Sequence, residues 1–318
     1  MIYKILKTFN IHGIFRVLKK NNITILCLHR VSDEIDVFFN PIKIKNFCNF
    51  LTYLTKHYEI IHFNDIKNGY NLKNKLILSF DDGYYDFYEN VLPILVKKNI
   101  KANHNIVNIC ANANAIIWTQ KLNVIFNFYY SKLNIQSLEN DFEKIDIQKT
   151  NYLSWTEKYN QCFKYLLKID IDNRTQKINY ILNLKSIQTD SVKMMNWNQI
   201  NECSKNNIEI GSHSYSHDNF SLIDNVSQLD AEIKNSITEI NNKLSINCNI
   251  FSLPNGQFNE ITLNYLKVLK TEFILKVEDT LSHEPPVYNR LYLIEEPIDN
   301  MICRTEMLQQ NIKRIIKK

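Results

Sequence analysis

The chain has 318 residues, of which 45% are hydrophobic and 22% charged, with a formal net charge of +5. This composition excludes a disordered chain, and the length allows one large α/β barrel or two ordinary domains. The positive charge is spread along the chain and forms no dense Arg/Lys stripe with interleaved aromatic residues, so no nucleic-acid partner is predicted.

The amino-terminal segment and the cysteines bear on location. Residues 1–21 place apolar side chains at roughly helical spacing with lysines between them, which predicts an amphipathic helix that packs on the protein or rests on a membrane surface. The segment has no apolar run of the length that a signal peptide or a membrane span needs. The seven cysteines form no Cys-x-x-Cys pair, which indicates a reducing setting. We therefore expect a cytoplasmic protein, with peripheral contact to the inner face of the membrane as the alternative.

Short apolar runs alternate with amphipathic segments over residues 22–300. Predicted strands cover 23–28, 76–80, 102–109, 208–210, 249–253, 272–277 and 289–294, and predicted helices cover 47–57, 93–98, 197–206, 226–244 (capped by Asp224) and 263–270. This alternation favours a parallel sheet or barrel, in which the chemistry lies where strands end and loops begin.

A different pattern covers residues 110–193, which are polar, rich in Asn, Tyr and Lys, and mostly helical in period. One candidate helix face consists of Trp118, Leu122, Ile125 and Phe126. We predict a helical insertion within the barrel, because the apolar content looks too thin for a core of its own. Residues 301–318 are predicted to form a basic C-terminal helix.

Two adjacent carboxylates, Asp81 and Asp82, directly follow the predicted strand 76–80, and Gly83 comes next. At a strand end such neighbours can point in different directions, so that one binds a metal ion while the other acts as a base. Asp-Asp-Gly alone is more often a solvated turn. Its position at the end of a buried strand favours the catalytic interpretation.

Two histidines, His213 and His217, follow the predicted strand 208–210. Their i, i+4 spacing predicts that both lie on one face of a helical turn. Together with Asp82 they offer one carboxylate and two imidazoles, a set that suits Zn²⁺ or a similar divalent ion with open positions for water and substrate. Asp81 would then accept the proton of the attacking water.

Three segments resemble the first three motifs of the polysaccharide deacetylases with a NodB homology domain: Ser79–Gly83, Gly211–His217 and Phe251–Gly256. Leu28–Val31 and Trp118–Leu122 resemble a branch of that family whose members often lie with surface-glycan biosynthesis genes. The resemblance spans roughly residues 23–298. It implies an α/β fold, namely a distorted (β/α)7 TIM-like barrel.

The resemblance also implies an activity, which is hydrolysis of an N-acyl group on a sugar with the help of one divalent metal ion, Zn²⁺ or similar. By position, Asp81 is the base, and Asp82, His213 and His217 are the ligands. The backbone N–H of Asn255 would help to hold the oxyanion. The implied partner is an N-acetylated glycan or a lipid-linked sugar.

The sequence departs from the family pattern at two places. The third motif commonly starts with an arginine that orients the base, and here Ser252 stands near that place; Arg30 or Arg290 would substitute. The late motif that supplies the general acid is absent, which leaves His29 and His104 as candidates, whereas His283 beside two prolines is typical of a loop. The polar run Asn103–Asn105 either lines the substrate pocket or faces a hydrogen-bonded interior.

These departures keep a second hypothesis open. A catalytically weakened barrel of the same fold would bind glycan without turning it over. Retention of Asp81 and of all three predicted ligands favours the enzyme.

Overall fold

The computed structural model describes residues 13, 16, 22–66, 71–113, 115–147, 154–281 and 283–308. Apart from residues 13 and 16, the helix predicted over residues 1–21 lies outside these ranges, and so does the part of the basic C-terminal helix beyond residue 308. Among the described helices, none combines the length and the apolar character that crossing a membrane requires.

Parallel strands form the centre of the protein. They are β1 (Thr24–Leu28), β2 (Glu59–Ile60), β3 (Lys75–Phe80), β4 (Ala102–Ile106), β5 (Ile208–Ser212), β6 (Ile250–Ser252), β7 (Phe273–Val277) and β8 (Val287–Tyr292). Strand β1 pairs with both β3 and β8, so seven of the described strands close into a barrel, while β2 pairs with the start of β3 alone. The predicted (β/α)7 barrel is therefore confirmed.

Helices surround the barrel and bury their apolar faces on it. The described helices are α1 (Ile44–His57), α2 (Leu92–Lys98), α3 (Asn108–Ala113), α4 (Trp118–Ser131), α5 (Ile135–Glu143), α6 (Trp155–Leu167), α7 (Ile171–Leu184), α8 (Trp197–Lys205), α9 (Val226–Leu229), α10 (Asn235–Leu244), α11 (Glu260–Val268) and α12 (Ile298–Thr305). Helix α1 is an example, because its apolar residues Phe47, Phe50, Leu51 and Leu54 lie on one face and are buried.

The predicted helix 226–244 differs from the structure in two details. A π-helical turn (Asp230–Lys234) joins α9 to α10. The cap is Asn225 and not Asp224, because the Asn225 side chain accepts the Gln228 backbone N–H at 2.9 Å.

Helices α4 to α7 form the predicted insertion, but they enclose a hydrophobic cluster of their own. Its buried members include Leu122, Ile125, Phe126, Leu138, Phe142, Leu166, Ile178 and Ile181. The expectation that the apolar content was too thin for a core was wrong, because aromatic side chains bury large areas and supply much of the cluster.

Candidate metal and catalytic site

The functional residues predicted from the sequence come together at the carboxyl ends of the barrel strands. Asp81 and Asp82 follow β3, His213 and His217 follow β5, and His29 follows β1. All five line a cavity of about 400 Å³. The expectation that the motifs meet where strands end matches this arrangement.

Asp82, His213 and His217 form a compact buried cluster. The Asp82 Oδ1 atom lies 3.3 Å from His213 Nε2 and 3.4 Å from His217 Nε2, and each of the three residues offers a ligand atom within 4.8 Å of the other two. The three side chains are nearly inaccessible to solvent. The three residues predicted as ligands are therefore close enough together to bind one ion.

The histidines do not lie on a helical turn, which corrects the prediction made from their spacing. Residues 213–217 form a loop, because Ser214 (φ 71°) and His217 (φ 64°) occupy the left-handed region. Asp82 (φ 77°) and Gly83 (φ 86°) share that region. The chain thus turns sharply behind both the carboxylate and the second imidazole.

The hydrogen bonds around the cluster are those of a cation site. The Ser252 carbonyl can only accept, so His213 Nδ1, at 2.9 Å from it, carries the proton. His213 Nε2 is thereby directed at the Asp82 carboxylate, where the ring, when neutral, offers its lone pair to a cation. Asp82 Oδ1 is buried and has no hydrogen-bond partner among the described residues. A cation placed between these acceptors would satisfy them, and their chemistry fits Zn²⁺.

Arg290 holds the neighbouring carboxylate, Asp81, with both arms of its guanidinium. Arg290 Nη1 donates to Asp81 Oδ1 at 2.8 Å, and Nη2 donates to Oδ2 at 2.7 Å. Arg30, the other candidate, instead bonds Asp86 at 2.8 Å. Ser252 lies between the two partners, since its hydroxyl accepts from Arg290 at 2.7 Å and donates to Asp81 at 3.1 Å. A short side chain at position 252 thus leaves space for the arginine of β8.

The charges around Asp81 keep it ionised. Burial raises the pKa of this carboxyl, but Arg290 and then His213 lower it by more, so that the pKa lies well below its usual range. Asp81 is therefore an ionised acceptor of hydrogen bonds at neutral pH.

The polar run of β4 belongs to a hydrogen-bonded interior and does not line the cavity. Asn105 Nδ2 donates to Asp81 Oδ1 at 2.7 Å, and Asn103 Nδ2 donates to Asn105 Oδ1 at 3.1 Å. Ser79 Oγ extends this series of hydrogen bonds by donating to Asn103 Oδ1 at 2.7 Å. The second of the two alternatives for this run therefore holds, and Asn105 contacts the predicted base directly, which the sequence did not indicate beyond its unusual polarity.

Of the candidate acids, only His29 faces the cavity. His104 Nε2 accepts the Gly83 N–H at 3.1 Å, and burial lowers the pKa of His104 to about 4. His283 lies near the start of β1, at 3.0 Å from the Ile23 carbonyl, away from the cluster. Burial also lowers the pKa of His29, more than Asp82 and Asp81 raise it.

Asn255 stands beside the cavity in the third motif. Its backbone adopts φ 54°, and its side-chain Nδ2 is buried with no hydrogen-bond partner among the described residues. The role of its backbone N–H in holding an oxyanion stays a prediction.

The insertion supplies much of the cavity wall, a contribution that the sequence did not reveal. Thr119 and Asn123 come from α4, and Tyr159, Asn160 and Phe163 come from α6. Phe38 stacks on Tyr159 with ring centroids 5.2 Å apart and an interplanar angle of 22°. The cluster of predicted ligands thus shares its cavity with aromatic side chains of the insertion and of the loop after β1.

Comparisons with known proteins agree with this geometry. A family described as "Polysaccharide deacetylase" matches residues 146–274, a range that includes His213 and His217 but neither Asp81 nor Asp82. No curated protein matches the sequence.

Several solved structures share the fold. The Streptococcus pyogenes deacetylase PplD in complex with acetate is 15% identical, with a TM-score of 0.57 over 91% of this chain and 97% of that one. IcaB from Ammonifex degensii is 13% identical, with a TM-score of 0.57 over 91% and 98%. The putative polysaccharide deacetylase BA0330 from Bacillus anthracis is 11% identical, with a TM-score of 0.58 over 89% and 68%. At these identities the likeness concerns the fold.

The family match confirms the resemblance to polysaccharide deacetylases that the motifs predicted. The assignment of the chain as a carbohydrate N-deacetylase is confirmed with it.

Proposed function

We propose that this carbohydrate deacetylase is a metal-dependent hydrolase that removes an N-acetyl or related N-acyl group from an amino sugar of a polysaccharide or glycolipid precursor. Two neighbouring features carry the proposal. In the Asp82–His213–His217 cluster, the buried Asp82 Oδ1 has no hydrogen-bond partner among the described residues. Beside it, Arg290 bonds both oxygens of the Asp81 carboxylate.

Each residue of the site has a part in this reaction. Asp82, His213 and His217 would hold a Zn²⁺ or similar ion, which supplies polarisation of the amide carbonyl and acidification of water. Asp81 accepts the proton of the attacking water, while Arg290 keeps the carboxylate oriented. The Asn255 backbone N–H stabilises the developing oxyanion.

His29 is the proposed donor of a proton to the departing amine. Its lowered pKa keeps the ring neutral at rest, so it must first receive a proton. Asp81 can pass on the proton taken from water through one bridging water, because a His29 ring nitrogen lies within 4.8 Å of an Asp81 oxygen.

The surroundings of the pocket support an amino-sugar substrate. Aromatic rings from the insertion and from the loop after β1 provide flat apolar surfaces, and Asn123 and Asn160 add polar groups beside them. We propose further that the substrate is a surface-glycan intermediate made on the cytoplasmic side, and that residues 1–21 help to dock it when it is lipid-linked.

The alternative, a glycan-binding barrel without turnover, rests on the missing motif for the general acid. It is weaker than the sequence suggested, because Arg290 occupies the place of the missing arginine from another strand.

Acyl release separates the two hypotheses. Metal-free protein, reconstituted with Zn²⁺ and incubated with N-acetylated oligosaccharides, is expected to release acetate, and chelation is expected to abolish the release. A protein that binds Zn²⁺ and these glycans but yields no acyl product would favour the binding function.

A further inference from the structure

The two proposed imidazole ligands are supported differently. His213 is fixed through its ring, because Nδ1 bonds the Ser252 carbonyl at 2.9 Å. The corresponding Nδ1 of His217 is buried and has no hydrogen-bond partner among the described residues. The His217 ring contacts Asp82 and His213 but has no hydrogen bond at Nδ1 comparable to that of His213, so its orientation depends more strongly on the position of its backbone.

That backbone needs support, since His217 adopts φ 64°, which is costly for a residue with a side chain. On the barrel side, the His217 N–H donates to Ser214 Oγ at 2.8 Å. On the other side, the indole Nε1 of Trp118 donates to the His217 carbonyl at 3.2 Å. Trp118 is the first residue of α4, so this contact joins the insertion to the metal-binding loop.

Arg174 of α7 adds a second connection. Its side chain is fully buried, and Nη1 donates to Asp218 Oδ1 at 3.0 Å, one residue beyond the ligand. The guanidinium carbon also lies 4.8 Å from the Trp118 ring centroid. Arg174 thus contacts both the indole that holds His217 and the residue that follows it.

The remaining donors of Arg174 bond the end of α6. Nε donates to the Leu166 carbonyl at 2.8 Å, and Nη2 donates to the Ile169 carbonyl at 2.7 Å. Next to them, Asn219 Nδ2 donates to the Leu167 carbonyl at 2.6 Å. Three consecutive residues, 217 to 219, are therefore bonded to the insertion.

We propose that Trp118 and Arg174 are positioning residues that hold His217 in place for the metal ion. The helical insertion is then a structural part of the metal site as well as a wall of the pocket. This inference rests on the proposed metal-dependent function.

Metal affinity tests the inference without reference to turnover. Trp118→Phe keeps an aromatic ring but removes the N–H, and Arg174→Met removes the charge while retaining a long side chain. Metal-free wild type and variants are titrated with Zn²⁺ against a chromophoric chelator. Loss of a partner that orients a ligand costs about 10- to 100-fold in affinity, and we expect a loss of that size in both variants.

A matched control is Phe142→Leu, which perturbs the core of the insertion at a buried position. Among the described hydrogen bonds and ring contacts, Phe142 has none with residues 217–219. It is expected to lower the thermal stability but leave the Zn²⁺ affinity at the wild-type value. We expect the absorption spectrum of the Co²⁺-loaded Trp118→Phe protein to differ from that of the Co²⁺-loaded wild type. This measurement remains informative if Arg174→Met does not fold.

The outcomes separate this inference from the proposed function. Wild-type Zn²⁺ affinity and an unchanged Co²⁺ spectrum in Trp118→Phe would overturn the positioning role alone. An equal loss of affinity in Phe142→Leu would also overturn it, because the effect would then be general destabilisation. Lack of Zn²⁺ binding by the wild type would overturn the metal site itself.

Discussion

Arg290 and Asp81 form the closest charge pair of the site, and they come from strands that are distant in sequence. The motifs indicate that an arginine is missing near Ser252 and leave Arg30 or Arg290 as its substitute, with Arg290 named among the catalytic residues. The choice depends on barrel closure, which brings β8 beside β1 and lets Arg290 reach Asp81 past the short Ser252 side chain. When a residue of a distant strand takes over such a role, the spacing of residues along the sequence does not reveal it.

Arg290→Lys tests this pair. Lysine keeps the charge but cannot bond both Asp81 oxygens, so the base is misplaced and we expect kcat to fall by about 10²-fold. Zn²⁺ content should stay at the wild-type value, because Arg290 bonds Asp81 and not the proposed ligands. Arg304→Ala serves as the control, because it removes an arginine of α12 that pairs with Asp279 in the loop between β7 and β8. Normal turnover in Arg290→Lys would refute the role of the two hydrogen bonds from Arg290 to Asp81.

His104 gives a prediction for pH-dependent stability. Burial lowers its pKa from 6.5 to about 4, so the folded protein favours the neutral ring. The resulting stabilisation is complete above the unfolded pKa and is lost as the pH falls from about 6.5 towards 4. The size of this contribution is on the order of 3 kcal/mol.

The measurement is the free energy of unfolding of metal-free wild type and His104→Gln between pH 7 and pH 4. Glutamine can still accept the Gly83 N–H but does not titrate, so the difference between the two proteins should shrink or reverse as the pH falls. Parallel curves for the two proteins over this range would contradict the prediction.

Among the structural elements, the strands were the most predictable and the loops the least. Apolar runs bounded by polar residues placed every strand of the closed barrel to within a few residues. The loop at 213–217 was misinterpreted, because i, i+4 spacing identifies a helix face only when the backbone is helical. Positive φ at Ser214 and His217 depends on contacts from distant residues, such as Trp118.

Strand β5 must approach β4 closely, and Gly211 permits it. A methyl group at position 211 would overlap the Asn105 side-chain oxygen and lie 3.0 Å from Ile250 Cγ2. Gly211→Ala is therefore expected to lower the free energy of unfolding by about 1–3 kcal/mol. It should also lower turnover, because Asn105 bonds Asp81.

A double variant identifies the cause. In an Asn105→Ser background the overlapping oxygen is absent, so Gly211→Ala should cost less stability there than in the wild type. Equal costs in the two backgrounds would show that the contact with Asn105 is not responsible.

For the molecule as a whole, the alternating pattern and three motifs were enough to predict the barrel and the cluster of ligands. The separate core of the insertion and its place above the cavity were not predictable, since both depend on how α4 and α6 pack against the barrel loops. The proposed site lies between these two parts, and we expect metal binding to be coupled to overall stability.

Metal removal tests that coupling. Zn²⁺ that binds only the folded state stabilises it by about 2.7 kcal/mol at a hundredfold excess over the Kd, so chelation is expected to lower the Tm. In Asp82→Asn the shift between Zn²⁺-loaded and chelated samples should vanish. A Tm that does not depend on Zn²⁺ in the wild type would contradict the proposed metal site.

Asp81 is proposed to drive hydrolysis of an N-acyl sugar beside a bound ion. Mass spectrometry of the product formed from N-acetylated glycan precursors, with wild type against Asp81→Asn at equal Zn²⁺ content, tests it most directly. We expect loss of acetyl groups with the wild type and intact substrate with the variant. Intact substrate with both proteins, or equal deacetylation by both, would contradict it.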